Sequence, residues 1–221
     1  MRRLIVGGFV SLDGVMQAPG GPEEDPTGGF EHGGWVFPFW DGVMDEAMGV
    51  SFARPFDLLL GRRTYEIFAG YWPFASGDVA GPFNAATKYV ATSSSRPLSW
   101  QNSIRLEGDV VQAVSRLKQE EGPDLLTQGS SVLVQSLLAA GLVDELSLNI
   151  MPVLLGHGKK LLGDGAEPGE WELIDSRTST TGVLIARYRA KGPVRTGSFA
   201  QETPSQAEIA RREKMQREDS W

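Results

Sequence analysis

The sequence contains no cysteine, which rules out disulfide bonds, thiolate metal ligands and a cysteine nucleophile, and fits a reducing compartment. The cysteine-ligated zinc chemistry of nucleobase deaminases is excluded with it. Histidine is scarce too: His32 and His157 are the two present. They lack the close spacing of a helical metal pair, so no metal site is expected. No apolar run approaches the ~18 residues of a membrane span. The opening segment meets a polar turn at Ser11 to Gly14, too early for a secretory signal, so a cytoplasmic protein without a membrane association is expected. Positive charge is in deficit, with 21 Lys and Arg against 28 Asp and Glu. Nonspecific nucleic-acid binding is disfavoured, because no basic cluster is large enough to neutralise a run of phosphates.

What remains is an α/β pattern in 221 residues, 41% of them hydrophobic, enough for one substantial core. Leu4 to Val10 is apolar throughout, as suits a central strand buried on both faces, and a turn ends it. Pro19 to Trp40 is rich in Gly and Pro and has no period. Its aromatics Phe30, Trp35, Phe37, Phe39 and Trp40 argue against disorder and for an ordered loop that covers or lines a pocket, or packs on the surface. Asp41 to Ala53 reads as a helix with Val43, Ala47 and Val50 on one face and Met44 and Met48 on a neighbouring one. A strand at Leu58 to Leu60 and a helix at Arg63 to Phe68 follow. Lys88 to Ala91 is a further strand, ending in Thr92, Ser93, Ser94 and Ser95.

Asp109 is a suitable N-cap for a helix running to about Glu121. Leu125 and Leu126 form a short strand into Gln128, Gly129, Ser130 and Ser131, where the next helix starts. Val143 to Gly156 reads as a long strand with Pro152 near its end. Trp171 to Asp175 and Gly182 to Ala190 read as an antiparallel pair, so the sheet should be mixed. One domain over residues 1–192 is expected. In the polar segment 193–221, Pro204 to Trp221 could form a charged helix or remain a mobile tail.

The stretch Asp57 to Glu66 joins an apolar strand to a helix through Gly61, Arg62, Arg63 and Thr64. Such a junction binds anions: glycine permits close approach, unpaired N–H groups and the helix dipole face the ligand, and an arginine adds a charged fork. The same residues also fit a turn capped by Thr64 with both arginines in solvent. Gln128 to Ser131 makes a second junction of this kind. Two of them suit a dinucleotide, although neither is the GxGxxG fingerprint.

The order of SLDG, aromatic loop, LLLGRRTYE, TSS, QGSSVLVQSLL, GLVDEL and PVLLGHGKKL resembles the dihydrofolate reductase superfamily. More closely it resembles the branch built on the reductase domain of riboflavin biosynthesis, the RibD C-terminal domain, as a stand-alone member. The resemblance covers about residues 1–190. It implies a three-layer fold with a central, mixed, mostly parallel sheet, helices on both faces and antiparallel C-terminal strands, commonly a homodimer, using NADPH on a heterocyclic small molecule. Gly61, Arg62, Arg63 and Thr64 match the motif holding the adenosine phosphates. Thr92, Ser93 and Ser94 match the segment near the ribose 2'-phosphate. Gln128, Gly129, Ser130 and Ser131 match the turn under the pyrophosphate, with Ser130 replacing one of a usual glycine pair. Ser11 to Met16 resembles the loop that shuts over the nicotinamide, where Asp13 shapes the turn. Asp45 falls where dihydrofolate reductases carry their substrate carboxylate, and Asp41, His32 and Trp35 are further candidates for the substrate side or its lid. The activity so implied is a pterin or aminopyrimidine reductase; the alternative is a non-catalytic nucleotide sensor.

Overall fold

The computed structural model describes residues 1–163, 167–199 and 203–217. In chain order its elements are β1 (Leu4–Ser11), α1 (Gly42–Phe52), β2 (Phe56–Gly61), α2 (Arg62–Tyr71), α3 (Ala80–Ala85), β3 (Lys88–Ala91), β4 (Ser103–Arg105), α4 (Val110–Gln119), β5 (Asp124–Gln128), α5 (Ser131–Ala139), β6 (Glu145–Met151), β7 (Glu170–Thr178), β8 (Leu184–Gly192) and α6 (Gln206–Arg217). The strands form one eight-stranded sheet in the order β4-β3-β2-β5-β1-β6-β8-β7. All pairings from β4 to β6 are parallel, and β8 and β7 run antiparallel to their neighbours.

Helices cover both faces, as an apolar parallel sheet requires. Leu4, Val6 and Val10 of β1 pack with Val114 and Leu117 of α4 and with Leu133, Val134 and Leu137 of α5. Leu58 and Leu60 of β2 turn the other way, onto Tyr65, Phe83 and Trp100. A third cluster joins Phe30, Trp35 and Val36 of the Gly/Pro-rich loop to Met44 and Ala47 of α1 and to Met151. The loop is therefore ordered by its aromatics.

Of the two apolar faces of α1, the one centred on the methionines turns inward. Met44, Ala47 and Met48 are its buried residues, and Val50 is 56% exposed. The flexible methionines fill the irregular gap over the sheet. In β6 the strand stops at Met151, because Pro152 has no N–H to extend the ladder. Two elements were invisible to periodicity: α3, a short helix carrying Gly81 and Pro82, and the three-residue edge strand β4. The polar segment is helical over Gln206–Arg217, with no buried residue. Residues 200–202 and 218–221 of that segment lie outside the described residues.

Two buried cations brace the sheet. Arg2 is ion-paired with Asp57 and donates through Nε to the Pro123 carbonyl at 2.5 Å. Asp57 also accepts the Thr87 N–H at 3.1 Å, so one carboxylate ties the starts of β1, β2 and β3 together. Lys88 is fully buried, donates to the Asn84 carbonyl at 2.7 Å and sits 4.1 Å from the Trp100 ring centroid. Burial pushes its ammonium down to about 8 from the ordinary 10.5, opposed by the Asp57 charge. Between those values the unfolded chain binds more protons than the native one, so the Lys88 contribution makes stability rise with pH across that window. Lys88→Met is expected to remove this rise, read as a flatter pH dependence of the urea midpoint than in the parent protein. Parallel curves would contradict the assignment.

Candidate functional site

β2 and β5 are adjacent and parallel, with Leu58 beside Leu126, so both deliver their carboxyl ends to the same sheet edge. There β2 runs into α2 at Gly61, and β5 runs into α5 through Gln128 to Ser130. The two junctions are tied directly. The Gly61 N–H donates to Ser130 Oγ at 2.9 Å, while the Ser130 N–H and O–H both donate to Thr64 Oγ1, at 3.1 and 3.0 Å. Thr64 Oγ1 has thus accepted twice and keeps its own proton to donate.

The turn is made by consecutive left-handed residues, Gly129 at φ 76° and Ser130 at φ 58°. A Cβ at Gly129 would lie 3.3 Å from Thr64 Oγ1 and 3.4 Å from Thr64 Cγ2, closer than the pair could comfortably hold. Glycine is required there by both space and conformation. Ser130 bears a left-handed backbone at a cost of about 1–2 kcal/mol, offset by its three hydrogen bonds. Neither α2 nor α5 has a side-chain N-cap. Their first-turn N–H groups therefore face the sheet edge without such a partner, an electropositive rim.

Arginines gather beside this rim. Arg62 pairs with Glu66 at 2.7 Å and donates to the Arg96 carbonyl at 3.2 Å. Beyond β3, Thr92 Oγ1 accepts the Ser94 N–H at 3.0 Å, and Arg105 of β4 donates to the Ser94 carbonyl and, at 2.8 Å, to that of Arg96. Arg105 thereby supports the hydroxyl loop. Sequence reasoning missed it, since a three-residue strand leaves no readable period. Arg63 points elsewhere, with Nη1 3.5 Å from Thr27 Oγ1 and 3.9 Å from Asp25 Oδ2. Asp25 also pairs with Lys159 and accepts the Thr27 hydroxyl at 2.5 Å. Burial acts to raise the Asp25 carboxyl, but hydrogen bonds from Lys159 and Thr27 hold it below its ordinary range.

A cleft of about 2410 Å³ opens over the sheet. Gly61, Arg62, Arg63, Thr64, Thr92, Ser93 and Gln128 to Ser131 line one part of it, and Asp45 of α1 lines another. Ser94 stands outside its wall. Asp45 Oδ1 accepts the Trp40 indole N–H at 2.7 Å, and Trp40 in turn lies 5.8 Å from the Phe9 ring.

The other expected substrate or lid residues, Asp13, His32, Trp35 and Asp41, also lie outside the cleft wall. Asp13 accepts from Ser11 Oγ at 2.5 Å and from the Leu155 and Gly156 amides at 3.2 and 2.8 Å. The Ser11 hydrogen bond leads in holding its carboxyl down to about 2, and the turn is pinned to the segment after β6. Asp41 N-caps α1 through Val43 and Met44, while its second oxygen accepts both the N–H and the hydroxyl of Thr180 at 2.7 Å. Trp35 is buried and donates to the Gln17 carbonyl at 2.8 Å. His32 and His157, distant in sequence, meet with ring centroids 6.1 Å apart beside Phe30.

The sequence profile of the RibD C-terminal domain matches residues 2–185. The chain belongs to this family. The uncharacterized YyaP of Bacillus subtilis (strain 168) is 27% identical over 198 residues, 86% of this chain and 96% of that protein. A protein from Shewanella sp. PV-4 assigned to riboflavin biosynthesis superposes with TM-score 0.65 at 19% identity, covering 86% of this chain and 99% of that one. Dihydrofolate reductase from Enterococcus faecalis, complexed with NADP(H) and RAB-propyl, superposes with TM-score 0.55 at 17% identity over 85% and 96% of the two chains. These likenesses establish a shared dihydrofolate reductase-like architecture. The RibD C-terminal fold here also carries no helix, among the described residues, long and apolar enough to cross a membrane.

Within this family fold, the junction makes a direct prediction. Thr64→Val leaves the Ser130 N–H and O–H without an acceptor and is expected to cost about 1–3 kcal/mol in urea unfolding. Thr64→Ser should retain most of that stability. A loss in Thr64→Ser with little or none in Thr64→Val would assign the effect to the methyl group instead.

Proposed function

We propose that the protein is an NADPH-dependent reductase that transfers hydride to a pterin- or aminopyrimidine-like heterocycle. The observation that carries this reading is the pair of helix N-termini without side-chain caps, locked together by Ser130 and Thr64, on the wall of a cleft that also contains Asp45.

The residues present fit the cofactor. Gly129 leaves the close approach that a pyrophosphate needs, and the N-termini of α2 and α5 supply N–H donors to it. Arg62, Thr92 and Ser93 would hold the 2'-phosphate, with Arg63 turning from Thr27 and Asp25 to join them and Arg105 keeping the hydroxyl loop of Ser94 in place. NADPH bound there supplies the hydride.

The chain's own contributions are position and proton supply. Phe9 and Trp40 offer an apolar wall for a flat ring. Trp40 fixes the Asp45 carboxylate through Oδ1, leaving Oδ2 to hold a substrate proton. The turn from Ser11 to Met16, anchored by Asp13, lies against Gly129 and helps exclude water from the nicotinamide end. On this reading residues 1–192 carry the activity in a cytoplasmic homodimer, the compartment following from composition and the dimer from the resemblance.

Replacing both Arg62 and Arg63 by alanine should weaken NADPH more than NADH by about 1.5–3 kcal/mol, the loss of a charged hydrogen bond. Calorimetric titration of each nucleotide measures this, and equal weakening would remove these arginines from the 2'-phosphate. In a nicotinamide-absorbance assay with a panel of pterins and aminopyrimidines, Asp45→Asn should lower kcat while leaving NADPH affinity unchanged. An unaltered rate would exclude Asp45 from proton transfer.

A further inference from the structure

We propose that His32 and His157 together bind one divalent transition-metal ion of the kind that prefers imidazole, such as Zn²⁺, and so clasp the Gly/Pro-rich loop to the segment after β6. The inference goes beyond the reductase reading and does not depend on it.

These are the two histidines of the chain, and they lie far apart in sequence. Helical spacing, the usual sign of a metal pair, is absent, and the fold supplies the proximity instead. Their ring centroids are 6.1 Å apart. Two imidazoles that share one ion, each bonded through nitrogen at about 2.0–2.1 Å, place their ring centres roughly 5–6 Å apart. A small side-chain rotation therefore closes the pair on an ion. Both residues are exposed, so an ion reaches them from solvent. Neither imidazole has a hydrogen-bond or ion-pair partner among the described residues, which leaves the ring nitrogens free.

The backbone beneath the pair is fixed. Both imidazoles meet the ring of Phe30, itself 4% exposed, at 5.8 Å. Each is followed by a glycine in close contact: a Cβ at Gly158 would lie 2.7 Å from Val15 Cγ1, and one at Gly33 would lie 2.5 Å from the Gly21 carbonyl oxygen. The Lys159 N–H donates to Gln17 Oε1 at 3.0 Å, and the Lys159 ammonium is paired with Asp25, which neutralises the cation beside His157. Binding an ion here orders little that is not already ordered. No group of three or more histidines and acids able to hold an ion occurs among the described residues. The two imidazoles would thus be the protein ligands, with water in the remaining positions. Nitrogen donors select Zn²⁺, Ni²⁺ and Cu²⁺ over Mg²⁺ and Ca²⁺, which prefer oxygen. Pro19 to Gly21 and Glu23 to Asp25 of the clasped loop line the cleft, so the ion would stiffen one of its walls.

The test is calorimetric titration of the full-length protein, first freed of metal by a chelator, with ZnCl₂ and with MgCl₂. One Zn²⁺ per chain and no Mg²⁺ are expected. His32→Ala and His157→Ala should each weaken Zn²⁺ by roughly tenfold or more, since losing even a group that only orients a metal ligand costs that much. His157→Gln, closer in size, reports independently if an alanine variant does not fold. An ion bound by the native state alone raises the unfolding temperature, so Zn²⁺ should raise it in the parent and not in the variants. Absence of saturable Zn²⁺ binding at millimolar metal overturns the proposal and leaves the pair as packing against Phe30. Undiminished Zn²⁺ binding in either single variant also overturns it and assigns the ion to surface carboxylates.

Discussion

The hydroxyl of Ser130, lodged between the Gly61 amide and Thr64, is the contact on which the candidate site depends. Parallel pairing of β2 with β5 brings two strand-to-helix junctions side by side, but pairing alone leaves their turns free to move apart. The three hydrogen bonds of Ser130 fix that spacing. They also stabilise a left-handed residue that the backbone would otherwise resist, and they consume polar groups of the two turns while leaving the first-turn amides of α2 and α5 without side-chain caps. Ser130 thus joins the two halves of the rim.

The loops around this rim are held by carboxylates. Asp25 joins the Gly/Pro-rich loop to Lys159, Asp13 joins the first turn to Gly156, and Asp41 joins α1 to the β7–β8 turn. Each of these acids has its oxygens engaged by neighbours. Asp45 lines the cleft, as Asp25 does, but differs in that its side chain, among the described residues, accepts a single indole N–H at Oδ1. The first three staple segments together, whereas the Asp45 side chain is held at one oxygen.

Much of the sheet was legible. Leu4 to Val10, Leu58 to Leu60 and Leu125 to Leu126 are apolar on both faces, and a parallel sheet covered by helices asks for that pattern. Asp109 was recognisable as a cap, and its side chain accepts the Gln112 N–H at 2.9 Å. Which apolar face of α1 turns inward was not legible, because valines and methionines are both apolar, whereas the gap over the sheet suits the longer, more adaptable side chain. α3 and β4 are too short for a period to emerge. The proximity of Ser130 to Thr64, of Asp41 to Thr180 and of His32 to His157 depends on distant pairings that no local pattern encodes. Nor could alternation alone reveal that Asn149 Oδ1, unlike the Glu145 carboxylate on the same face, has no hydrogen-bond partner among the described residues.

The most direct measurement is a calorimetric titration of the purified protein with NADPH. The account predicts saturable binding of one nucleotide per chain. Absence of saturable binding at millimolar nucleotide would contradict the claim that the joined junctions of α2 and α5 form a dinucleotide site.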